Sequence, residues 1–73
     1  WKNHHVAIWQ SARSRTAAND PITKTLVRDD LKAQGFDIHH FGRWLTKLVN
    51  EGALVLDGEV ISMGHIALEN DNG

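Results

Sequence analysis

The sequence predicts a mainly α domain with a small β-hairpin, an α+β fold in which three helices precede two strands. Three observations predict it. Residues 38–50 place apolar side chains at helical spacing with polar ones opposite. Two short apolar runs then flank an Asp57-Gly58 pair, a strong short-range hairpin signal. Upstream, Asn19-Asp20-Pro21 and Gly35 divide the rest of the chain into two further helical stretches. Pro disfavours helix at the residue before it, and Gly supplies the left-handed backbone that ends one.

The first helix is expected from Asn3 to about Arg15. Trp1, His5, Ile8, Trp9 and Ala12 share a face at i, i+3, i+4 spacing, whereas Lys2, Gln10, Arg13 and Ser14 lie away from it. Asn3 is the expected N-cap. After the break at Pro21, Ile22-Thr23-Lys24 has two readings. It is a short extended piece, because two of its three residues are β-branched, or Asp20 caps a helix with Pro21 at its first position. The extended reading is preferred, with a second helix from about Thr25 to Gln34. Leu26, Val27 and Leu31 then face inward, and Arg28, Asp29 and Lys32 face water. Gly35 ends this helix.

Only Phe36 and Asp37 separate the second helix from the third. Asp37 suits the N-cap, and Phe36 can pack across it as a hydrophobic staple. At about 100° per residue, Ile38, Phe41, Trp44, Leu45 and Leu48 fall on one side. His39, His40, Arg43, Thr46, Lys47 and Asn50 fall on the other. Gly42 is unusual in mid-helix, where Gly costs about 1 kcal/mol relative to Ala. Close approach of a backbone or a neighbouring helix is its expected reason. Glu51-Gly52 closes the helix. Ala53-Leu54-Val55-Leu56 and the run from Glu59 to Met63 are the two strands, with Asp57-Gly58 as a two-residue type I′ turn. Gly64 to Leu68 is expected to extend the edge, leaving Val60 to Leu68 open to a partner strand. Residues 69–73 are expected to fray.

Seventy-three residues make one small domain, a size that buries only about 60% of its unfolded surface. With no cysteine, disulfides and thiolate metal sites are excluded, so the apolar core must hold the fold. A chain starting at Trp1 rather than Met reads as a domain excised from a larger protein. No apolar run approaches the roughly 20 residues that span a bilayer, and no signal peptide is visible. The expected setting is intracellular, cytoplasmic or nucleoid-associated, with no membrane partner. The net charge is −1 but unevenly placed. Residues 1–48 hold eight basic and four acidic residues, a net of +4, and residues 49–73 hold five acidic residues and no Lys or Arg. Near-zero total charge argues against a polyanion partner, but binding depends on the local patch.

Taken together, Gly35, Asp37, Phe41, Trp44, Leu45, Leu48, Gly52, Leu54 and the Asp57-Gly58 turn resemble the winged helix-turn-helix superfamily. With the two preceding helices, the resemblance covers nearly the whole chain. It implies a three-helix winged helix-turn-helix that binds nucleic acid, DNA in double-stranded form before others, through the helix 38–50. Arg43 would pair bidentately with a guanine edge or a phosphate, and Lys47, one turn later, would neutralise a phosphate. His39, His40 and Thr46 would offer hydrogen bonds, and Arg28 and Lys32 would touch the flanking backbone, making binding salt-sensitive. One part departs from the pattern. Wings that grip DNA carry cations, whereas this one carries Asp57 and Glu59.

Other readings compete with this one. Arg43 and Lys47 would also suit a merely solvated helix face. His4-His5, His39-His40 and His65 invite a metal, but adjacent helical residues diverge by about 100° and zinc needs three or four converging ligands. No metal and no cofactor are expected. His5 reads as a core-edge histidine with one hydrogen bond. Trp9 and Trp44 read as core, and Trp1 stays open between core and base-stacking roles. No Ser-His-Asp spacing, phosphate-cradling Gly loop or paired carboxylates point to an enzyme. The rival function is a protein-interaction or assembly module, or a regulatory appendage of a larger enzyme, on the same fold.

Overall fold

Each helix starts and stops where a local group satisfies its end. The computed structural model describes residues 1–18 and 20–68. Asn19, part of the expected break, and the tail 69–73 lie outside the described residues. The elements run α1 (Asn3–Thr16), β1 (Ile22–Thr23), α2 (Lys24–Ala33), a 3₁₀ turn (Ile38–His40), α3 (Phe41–Glu51), β2 (Leu54–Asp57) and β3 (Val60–Met63). The result is α+β, three helices with a small antiparallel sheet, in a winged-helix-like arrangement.

Helix α1 is capped one residue earlier than the sequence suggested. Asn3 is already helical and Lys2 holds the extended capping backbone. The Lys2 amide donates to His5 Nδ1 at 3.3 Å, reaching an acceptor that Lys2's own side chain lacks. Helix α2 is capped by Thr23, whose hydroxyl accepts from the Leu26 amide at 3.2 Å. Its end is a glycine cap: Gly35 has φ +94°, and the Phe36 amide bonds Leu31 O at 3.1 Å. Asp37 caps the next turn, accepting from the His39 amide at 3.0 Å. The expected third helix is therefore composite, a 3₁₀ turn running into α3. Gly52, at φ +90°, ends α3, with the Ala53 amide on Leu48 O at 2.9 Å.

The sheet corrects two expectations. It has three strands in the order β1-β3-β2. Ile22 pairs with Ile61 and Thr23 with Val60, so β3 is the central strand and its start is no open edge. The hairpin loop is also one residue later than expected. Asp57 pairs with Val60, leaving Gly58-Glu59 as the two-residue loop, with Gly58 at φ +62°. A positive φ at the first loop position is common to the type I′ and type II′ hairpin turns, and Gly adopts it without steric cost. Beyond Met63 the ladder does not continue as a strand. The Gly64 amide bonds Ala53 O at 2.9 Å, then the His65 and Ile66 amides both reach Gly52 O, at 3.0 and 3.2 Å. This folds the chain across the end of α3 and buries Leu68.

The core joins all elements. Ile8, Val27, Leu31, Leu48, Leu54 and Ile61 are essentially inaccessible, and Trp9, Phe41 and Leu45 pack with them. Leu26 is half-buried. Ser11 and Arg15 of α1 both grip Asp30 of α2: Ser11 Oγ donates at 2.5 Å, Arg15 Nε at 2.8 Å and Arg15 Nη2 at 2.7 Å. This bidentate clamp holds the two helices in register. One aromatic expectation changes and an open one closes. Trp1, left open between core and surface, is exposed, and Trp44, expected in the core, is half-buried, its ring stacked on His4 with centroids 4.0 Å apart. The wide indole sits at the margin of the α3 apolar face, where α1's first turn covers it.

Candidate nucleic-acid interface

Helix α3 divides as its periodicity requires. Phe41, Leu45 and Leu48 are buried, and Gly42, Arg43, Thr46, Lys47 and Asn50 are exposed. Arg43 stands on the outer ridge and makes no ion pair among the described residues. The core behind the helix already fixes the backbone that carries this cation, so only the side chain has to be ordered when it meets an anion.

Two depressions flank the ridge. On one side, a groove of about 370 Å³ separates α3 from the start of α2 and the hairpin. Lys24, Thr25 and Arg28 form one wall, Gly42 and Thr46 the other, and Glu59 the hairpin end. On the other side, Lys47 borders a cleft of about 490 Å³ with Trp1, Lys2, His5 and Glu51. Lys47 Nζ lies 5.6 Å from the Trp1 ring centroid, within reach of a cation–π attraction.

The sequence-predicted residues are thus distributed. Arg28 and Thr46 share the groove, Arg43 crowns the ridge and Lys47 lies on the far flank. His39 and His40 are exposed in the 3₁₀ turn at the start of α3, ring to ring at 4.8 Å. Lys32 is exposed near the end of α2, lining neither depression. Thr46 is less versatile than expected. Its hydroxyl donates to Gly42 O at 2.9 Å, so its proton is engaged and its lone pairs remain to accept.

Gly42 does not serve close packing within the chain. Among the described residues a Cβ there would meet nothing within 4 Å, so none of them supplies the expected neighbouring backbone and the residue opens onto the groove. Lys24 escaped the sequence reading; it lines the same groove and pairs with Glu59, Nζ to Oε1 at 3.5 Å. Nothing local in the sequence signalled this, because the pair forms only when β1 joins the sheet beside the hairpin. That pairing partly neutralises the acidic wing. Two other cations are occupied on α1: Arg15 by Asp30, and Arg13 over the Trp9 ring at 5.2 Å.

The histidine at the core edge behaves as its contacts dictate. His5 is buried and its Nδ1 accepts the Lys2 amide, which a neutral imidazole alone can do. Burial first, then His4 and the nearby cations Lys47 and Lys2, push its pKa down. Among the described residues no three histidine or carboxylate side chains converge as a metal site would need, and no helix is long and apolar enough to cross a membrane. Compared with known proteins, the chain matches no family model, no curated protein and no solved structure.

Proposed function

We propose that this domain binds double-stranded DNA as a winged helix-turn-helix, with α3 entering the major groove. The major groove admits an α-helix. One observation carries the reading: Arg43 has no ion-pair partner among the described residues and stands on the solvent face of a helix whose opposite face is core. Lys47 lies one turn further on, and Arg28 faces α3 across the groove. Their guanidinium and ammonium groups are donors without competing acceptors of their own. The acidic wing weakens repulsion by pairing Glu59 with Lys24.

Fluorescence anisotropy with random-sequence duplex and single-stranded DNA at two salt concentrations tests it. Duplex binding should weaken as salt rises. Arg43→Ala and Lys47→Ala should each weaken it while leaving the circular dichroism spectrum and Tm unchanged, and each lost phosphate contact should lower the salt slope by about 1. Parent-like binding by both variants at low salt refutes the proposal.

The hairpin favours a second reading, a protein-assembly module. Its Gly58-Glu59 tip carries no cation, and β2 lies at the edge of the sheet with Val55 exposed. An edge strand can pair with a partner chain. Silence on DNA at low salt together with a dimeric mass in light scattering would favour this reading over the first.

A further inference from the structure

The groove between α2, α3 and the hairpin contains a residue choice that the fold itself does not explain. Gly42 sits in the first turn of α3 with no left-handed backbone to require it and no neighbour among the described residues that a Cβ would strike. Alanine would fit there and would favour the helix. Instead the surface drops to the level of the main chain at one place, facing Arg28 and Lys24 across about 370 Å³ of open groove. Arg28 has no acidic partner among the described residues, and the one carboxylate on the rim, Glu59, is drawn to Lys24. Thr46, beside Gly42, has its proton engaged by the Gly42 carbonyl. The donors that face the gap therefore come from the α2 wall.

We infer that this groove seats the sugar-phosphate backbone of one DNA strand, with Gly42 as the notch that lets the strand lie against α3 and Arg28 as the charge that holds a phosphate. The inference rests on the DNA-binding reading above and adds where one strand runs. A phosphodiester fits the chemistry because it accepts hydrogen bonds and carries the charge that Arg28 lacks internally. The missing side chain matters because a deoxyribose is bulky and must approach a helix whose other exposed positions project outward. Gly42 acts here as a positioning residue.

The test separates fold from binding by sign. Gly42→Ala should raise Tm by a few degrees, since it removes the entropic cost of fixing a glycine in a helix and meets open space, and weaken duplex binding. Gly42→Leu, folded by circular dichroism, should weaken duplex binding at least tenfold. Arg28→Ala should lower the slope of log K against log salt by about 1. If the parent binds duplex and Gly42→Leu binds as well as it does, the inference fails and the DNA reading stands. An unchanged salt slope in Arg28→Ala also overturns it. A lower Tm in Gly42→Ala would show a role inside the fold and overturn it too. A parent that does not bind DNA removes both.

Discussion

Replacing Gly64 by Ala tests how the end of the sheet is held. Gly64 follows β3 and lies against the main chain that leaves α3. A Cβ at this position would overlap the Gly52 carbonyl oxygen and stand 2.7 Å from the Ala53 carbonyl carbon. Those are backbone atoms, so no side-chain rotation relieves the clash. The chain must back away, and the bonds made by the Gly64, His65 and Ile66 amides to Ala53 O and Gly52 O lengthen together. At about 0.5–1.5 kcal/mol for each net hydrogen bond, losing all three costs about 1.5–4.5 kcal/mol. A domain of this length has about 4–11 kcal/mol of stability in total, so the loss is a large fraction of it. With about 4–8 °C of Tm per kcal/mol for a small domain, the melting temperature should fall by about 6–36 °C. Thermal denaturation followed by circular dichroism, with the urea midpoint as an independent measure, reads this directly. Gly42→Ala, in open space, is the control that should not fall. A Gly64→Ala variant melting with the parent would mean that the Gly52–Gly64 crossing is looser than described, and the reasoning from backbone overlap would fail.

Two further outcomes are expected. Leu48→Ala removes a fully buried side chain at the centre of α3 and should destabilise the domain by about 2–5 kcal/mol, read from the urea midpoint; a shift below that range would show that the core collapses around the gap. The Arg15 guanidinium, and after it the Ser11 hydroxyl, hold the Asp30 carboxyl below the usual carboxylate range, against the opposing pull of burial. A lowered folded-state pKa stabilises above the ordinary carboxylate value and is lost as pH falls through the folded value. The stability advantage of the parent over Asp30→Asn should therefore be present at neutral pH, begin to decline below about pH 4 and vanish once the pH passes the folded value. An advantage independent of pH over that interval would remove Asp30 ionisation from the helix clamp.

Local signals were legible in the sequence, and contacts between distant elements were not. The apolar spacing of Phe41, Leu45 and Leu48 identified the buried face of α3, and Gly35, Asp37 and Gly52 marked the end of α2, the start of the 3₁₀ turn and the end of α3, because capping depends only on residues adjacent in the chain. Ile22-Thr23 was readable as extended from its β-branched residues, but its partner was not, since pairing with Val60 and Ile61 depends on how α1 and α2 pack. The hairpin loop fell one residue from its expected place because both Asp57-Gly58 and Gly58-Glu59 satisfy a two-residue turn, and the register with β3 decides between them. Of the candidate interface, periodicity placed Arg43, Thr46 and Lys47 on the outer side of α3. It did not reveal that Thr46 would spend its proton on Gly42, that Lys24 would meet Glu59, or that Arg28 and Gly42 would face each other across one groove. The Ser11–Asp30–Arg15 clamp was equally invisible, because a Ser and an Arg one turn apart on α1 carry no mark of a carboxylate on another helix.

The position of β3 between β1 and β2 has a mechanical consequence. A hairpin attached only at its base can swing as a lever, leaving the body of a domain at rest. Here its far strand is stitched to Ile22-Thr23, and the Glu59 carbonyl at its tip accepts the Lys24 amide that begins α2. Any load taken up at that tip is passed at once to the first turn of the neighbouring helix, so whatever presses on the hairpin also pulls on the wall that carries Arg28.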